Sequence, residues 1–232
     1  MTFGAAYIRG LTGFGMAIIL VPLFGLIVKP GDAVVIAILL QVLIGPVGLK
    51  VIYADAHRQS ALMIAAFAML ATPLGIWLLM HTSPDLARLM IAGIAIGAFV
   101  LVLLPQRGQL RPGPKETALT GIASGVLTGF AAMPGPPVVP FYLRQPIPPT
   151  EARASMMLVF FATAIAGTIS SFALGLANAR LLWLSLLLFP SVLAGNWLGA
   201  KSFGRVPPNV WRSFVAAVLG VAGLSAVLRL LN

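Results

Sequence analysis

The stretch Gly10-Leu11-Thr12-Gly13-Phe14-Gly15, which continues through apolar residues to Pro22, limits the possible folds more than any other feature of the chain. Three glycines and a proline interrupt a segment that is otherwise hydrophobic enough for lipid. Glycine lets the backbone leave helical geometry, and an interior proline removes one helical hydrogen bond and clashes with the turn before it. The segment is therefore expected to be broken. Hydrocarbon offers no water to the freed backbone groups, so a broken helix persists there only where it lines a cavity or is buried in protein. A second such stretch, Gly129-Phe130-Ala131-Ala132-Met133-Pro134-Gly135-Pro136-Pro137-Val138-Val139-Pro140, lies later in the chain in a matching hydrophobic setting.

Composition fixes the solvent. Hydrophobic residues make up 59% and charged residues 9% of the chain, and the mean hydropathy is +1.02. Soluble domains have about 45–50% apolar and about 25% charged residues. An all-α, polytopic membrane helix bundle follows, and at about 20 residues per span the chain has room for roughly eight hydrophobic segments. These are 3–28, 33–53, 61–80, 86–104, 117–143, 152–174, 181–200 and 210–230, within one transmembrane domain over 1–232. The net charge of +10 sits in connecting loops, where membrane orientation and anionic lipid account for it. The expected partners are thus the lipid bilayer and a small anion, not nucleic acid. Oligomeric state is not set by the sequence. With no cysteine there is no disulfide framework or thiolate metal site, and no cofactor or metal is expected. No basic n-region or cleavage site precedes the first segment, so no cleavable signal peptide is expected.

The halves read as copies, one over about 3–104 and the other over about 117–231, joined by a polar linker at about 105–116. Pro22 matches Pro140, Asp32-Ala33 matches Glu151-Ala152, Gly75-Ile76-Trp77 matches Gly195-Asn196-Trp197, and Pro84 with Arg88 matches Pro208 with Arg212. Repeated halves with interrupted helices at corresponding positions point to a secondary transporter whose site lies at the repeat interface.

Gly10-x-x-Gly13-Phe14-Gly15 leading to Leu20-Val21-Pro22, with a Gly-Pro-Pro-rich counterpart in the second half, resembles the sulfite exporter TauE/SafE family over essentially the whole chain. The Pro-x-x-x-Arg lead-in to the last segment of each half adds to the likeness. The resemblance implies export of sulfite or another sulfur-containing organic anion. Compared with the family pattern, Ala131-Ala132 stand where glycines are common, which argues against a symmetric site, and the first motif comes very early in the chain.

Charge leaves two topologies open. Eight plain crossings divide the basic residues almost evenly between the two faces, which selects no orientation. If 3–28 and 117–143 instead enter and leave on the same side, Lys50, Arg58, Arg107, Arg111, Lys115, Arg144, Arg153, Lys201, Arg205 and Arg212 share one face, and Arg9, Lys29, Arg88, Arg180 and Arg229 the other. That bias is what the positive-inside rule expects. Each arm of such a hairpin would be about 20 Å long, too short to cross a core of about 30 Å.

Where a helix restarts after a break, unpaired N–H groups and the positive dipole end favour an anion. Gly13, Phe14, Gly15, Met133, Pro134 and Gly135 are the candidate substrate-binding residues on that ground. The bland alternative for membrane glycines is close helix packing, and it is the preferred reading for Gly93, Gly97 and Gly220. Arg9 could neutralise an anion or snorkel to the interface. Gln41, Thr163, Thr168, Ser170, Ser171 and Asn196 are polar positions within spans, and the amides Gln41 and Asn196 are the strongest candidates among them. Asp32, Asp55, Asp85, Glu116 and Glu151 all fall at segment ends, so no intramembrane carboxylate offers a proton or sodium relay. His57 and His81 lack metal-ligand spacing. A secondary transporter, or permease, for a small sulfur-containing anion is the leading reading. A membrane enzyme acting on lipid-linked substrates and a non-transporting assembly subunit are the alternatives.

Overall fold

The computed structural model describes residues 1–103 and 112–202, and every regular element among them is an α-helix. These are α1 (Thr2–Thr12), α2 (Met16–Gly25), α3 (Pro30–Ile44), α4 (Leu49–Asp55), α5 (Arg58–Met80), α6 (Pro84–Leu103), α7 (Pro114–Ala131), α8 (Gly135–Leu143), α9 (Pro149–Ala173) and α10 (Ala179–Lys201). By length and composition α5, α6, α9 and α10 can each cross a bilayer, and the bent pair α3–α4 makes a fifth candidate. The expected segment at 210–230, with Pro208, Arg205, Arg212, Gly220 and Arg229, lies outside the described residues, as do Arg107 and Arg111. Pro114-Lys115-Glu116, at the end of the expected linker, form the first turn of α7, where proline costs no helical hydrogen bond.

Both anticipated breaks are present. α1 stops at Gly13 (φ +86°), and α2 restarts after Gly15 (φ +94°). α7 stops at Ala132 (φ +57°), the one described non-glycine residue in the left-handed region, and α8 restarts at Gly135. Pro136 and Pro137 occupy the first turn of α8, where their missing N–H groups would have been orphans in any case.

The segment 33–53, expected to be one plain span, is a correction: α3 and α4 meet at an 84° bend across Gly45-Pro46-Val47-Gly48. The bend is filled from α9, since a Cβ on Gly45 would overlap the Phe161 ring, and Gly48 turns the chain in the left-handed region. By contrast Pro73 in α5 and Pro190 in α10 leave their helices continuous.

Glycines zip two helix pairs together. A Cβ on Gly121, Gly125 or Gly129 of α7 would overlap or crowd the backbone of α5, and one on Gly75 would overlap that of α7. Gly10 of α1 and Gly195 and Gly199 of α10 interlock in the same way. Such backbone-to-backbone contact is how helices associate where apolar burial gives no net drive. Gly93 and Gly97 have no described atom within 4 Å of a Cβ position, so the close-packing reading finds no support for them among the described residues.

Contacts fix the directions of the broken arms. Thr2 Oγ1 lies 3.0 Å from Ser191 Oγ, and Gly10 abuts Ala200, so α1 runs alongside the second half of α10 toward the end carrying Lys201. α2 runs back, because Arg88 at the start of α6 donates from Nε to Gly25 O at 2.9 Å. α8 likewise lies antiparallel to α7. Ser124 Oγ donates to Pro134 O at 3.1 Å, while Glu116 and Thr120 share a cavity wall with Pro140 and Arg144. Pro112–Pro114 and Gln145–Ile147 also line one cavity with His57, so both ends of the α7–α8 unit lie together. Asp32, Asp85, Glu116 and Glu151 each sit in the first turn of a helix, beside its positive dipole end.

Candidate functional site

The two breaks meet. Arg9, Phe14, Gly15, Met16, Ala17, Ile18, Gln41, Met133, Pro134, Gly135 and Phe160 line one cavity, so the restarting ends of α2 and α8 face a shared space. Its interior void is about 20 Å³, which admits one water-sized occupant.

Backbone chemistry is unequal on the two sides. The first turn of α2 offers the N–H groups of Met16, Ala17 and Ile18, which have no partner within the helix. The first turn of α8 contains Pro136 and Pro137, which have no N–H to offer. The two restarting turns therefore differ in the backbone donors they carry.

Arg9 is 7% exposed and donates from Nη1 to Asn196 Oδ1 at 2.7 Å, linking α1 to α10. The snorkelling reading is corrected: the guanidinium points into the protein. Among the described residues the ion pair is Arg88 with Asp85, and Arg9 has a neutral amide for its partner. A cation held inside a membrane protein by a neutral group is costly, and such residues mark ion or substrate pathways.

Gln41 donates from Nε2 to Ala132 O at 3.1 Å and to Ala37 O at 3.3 Å, tying α3 to the second break. Asn196 does not line the cavity; it orients Arg9. Gly13 does not line it either, because Arg153 covers that turn: a Cβ on Gly13 would lie 2.7 Å from Arg153 Cγ. Gly135 has ordinary right-handed backbone, and a Cβ there would meet only Val139 Cγ2 at 3.7 Å and Phe160 Cζ at 4.0 Å. Thr163 and Thr168 spend their hydroxyls on the carbonyls of Phe160 and Ala164 in their own helix. No group of three or more His, Cys, Asp or Glu able to hold a metal occurs among the described residues.

Sequence reasoning missed five lining or supporting residues. Met16, Ala17, Ile18 and Phe160 carry no polar signal, and Arg153 was counted only as a loop charge. Trp77 and Trp197 are half-exposed; Trp77 packs on His81 with ring centroids 4.4 Å apart, and Lys201 Nζ lies 3.6 Å from the centre of the Trp197 ring.

The family model described as sulfite exporter TauE/SafE matches residues 1–226. The chain belongs to the TauE/SafE family. A relative, the probable sulfite/organosulfonate exporter TauE of Cupriavidus necator, is 26% identical over 232 residues, covering 96% of this chain and 89% of its own length. No solved structure matches. As a TauE/SafE member the protein is a multi-pass membrane transporter and not an enzyme, which sets aside both the lipid-linked enzyme and the non-transporting subunit. The family implies a small anionic substrate.

Proposed function

We propose that this protein is a secondary transporter of the plasma (inner) membrane that exports sulfite or a related small sulfur-containing organic anion through the cavity between its two broken helices. One observation carries the reading: the buried Arg9 lines the space where the restarting ends of α2 and α8 converge. Positive dipole ends, N–H groups without a partner inside their own helix and an arginine that donates to a neutral amide all favour an oxyanion. The name of the Cupriavidus necator relative supports sulfite or a sulfonate as that anion.

The same observations support two inverted repeats with re-entrant hairpins. α1 and α2 double back toward the end that carries Lys29, Arg88 and Arg180, and α7 and α8 toward the end that carries Arg58, Lys115 and Arg144. Hairpins entering from opposite faces would bring the two breaks together, the arrangement that alternating access uses. The excess of basic residues at the second end assigns it to the cytoplasm.

Flux of sulfite, methanesulfonate and sulfate into proteoliposomes of the purified protein tests the function. Sulfite or the sulfonate is expected to move down its gradient, with sulfate slower. If a folded protein moves none of them, the substrate class is wrong.

A further inference from the structure

A helix that stops inside a protein leaves carbonyls without partners and the negative end of its dipole, worth about half an elementary charge. α1 stops beside the cavity, so its last turn would repel the anion that the first turn of α2 attracts. The last-turn carbonyls are answered in a particular way. Arg9 O accepts from Gly13 N–H at 2.7 Å, and Gly10 O accepts from Arg153 Nη2 of α9 at 2.8 Å. The Arg153 stem passes over Gly13, close enough that only glycine leaves room for it. The Arg153 guanidinium therefore caps the turn of α1 that also carries Arg9, whose own guanidinium reaches Asn196 of α10. At the second break the matching end of α7 receives a neutral amide, from Gln41 Nε2 to Ala132 O.

We infer that Arg153 is a positioning residue for anion binding: it covers the negative end of α1 and holds the Gly13 turn, so that the first break faces the cavity with positive potential. Arg153 does not line the cavity and acts through α1. Together with the N–H groups of Met16, Ala17 and Ile18, which α8 cannot match across Pro136 and Pro137, this concentrates anion affinity at the first break. The inference rests on the reading that the anion binds between the breaks.

The test uses the full chain in proteoliposomes, with methanesulfonate, a permanent anion, as substrate, and reads KM and maximal flux per folded molecule. Dipole-end interactions in partly buried settings imply a KM raised about tenfold in Arg153→Gln, with maximal flux within about twofold. Arg153→Lys, which keeps the charge, is expected within about threefold of the parent KM. An Arg153→Gln variant that loses thermal stability but keeps its KM, while Arg9→Gln raises KM, overturns the inference and leaves the site intact. If neither variant changes KM, the site itself lies elsewhere. Should Arg153→Gln not fold, Arg153→His carries the test. Its KM should rise several-fold as the pH passes through the ordinary histidine pKa of about 6.5, while that of the parent protein stays flat. Parallel pH profiles would refute the role.

Discussion

Substituting alanine for Gly13 and for Gly135 should produce opposite failures. At Gly13 the backbone is left-handed, φ +86°, which costs a non-glycine residue about 1–2 kcal/mol. The new methyl would also lie 2.7 Å from Arg153 Cγ, forcing the side chain to move and its guanidinium off Gly10 O. Losing a hydrogen bond from a charged group costs about 1.5–3 kcal/mol. The sum, about 2.5–5 kcal/mol, is large enough to lower folded yield and melting temperature visibly. At Gly135 the backbone is helical and the added methyl makes ordinary contacts, while alanine in a helix gains up to about 1 kcal/mol over glycine. Gly135→Ala should fold at least as well as the parent, yet it narrows a cavity of only about 20 Å³ and should reduce transport per folded molecule. Thermal melting in detergent, paired with flux normalised to folded protein, separates the two. Equal stability of the two variants, or full flux per molecule in Gly135→Ala, would refute the reasoning.

Gly125→Ala places a methyl onto the Ala68 carbonyl of α5 and should destabilise the protein by more than about 2 kcal/mol, read as a lower melting temperature. Arg88→Ala, which frees the end of α2 at Gly25, should cost about 1–3 kcal/mol, whereas Asp85→Asn, at a largely exposed partner, should cost at most about 1 kcal/mol; denaturation of both variants measures the difference. Single cysteines at Gln59 and Ser202 should label from the same, cytoplasmic side and one at Asp85 from the other. Labelling of Gln59 and Ser202 from opposite sides would rule out the inverted arrangement.

What was legible in the sequence followed from local chemistry. Gly13 and Gly15 are the residues that a left-handed turn requires, and they announced the first break. At the second break the glycine was visible but not its conformation: the left-handed position belongs to Ala132, and Gly135 is helical. The bend at 45–48 had a glycine–proline signal that was overlooked because 33–53 has the length of a simple span. Pro73 and Pro190 show that proline alone does not decide the matter, since both sit in continuous helices. The bend also needs Phe161 to fill it, a tertiary fact. Arg9 and Asn196 were each visible as polar residues within spans, but their 2.7 Å contact joins helices across a sequence separation of 187 residues. Arg153 left no local trace, because its partner Gly10 is met only once α9 packs over the end of α1.

Binding of an anion beside Arg9, between the two breaks, is tested by sulfite flux per folded molecule in proteoliposomes of the parent protein, Arg9→Gln and Arg9→Lys. Loss of a buried charged contact worth about 1.5–3 kcal/mol predicts a rise in KM of about ten- to a hundredfold in Arg9→Gln, with partial recovery in Arg9→Lys. An Arg9→Gln protein that folds and transports sulfite with the parent KM would contradict the account.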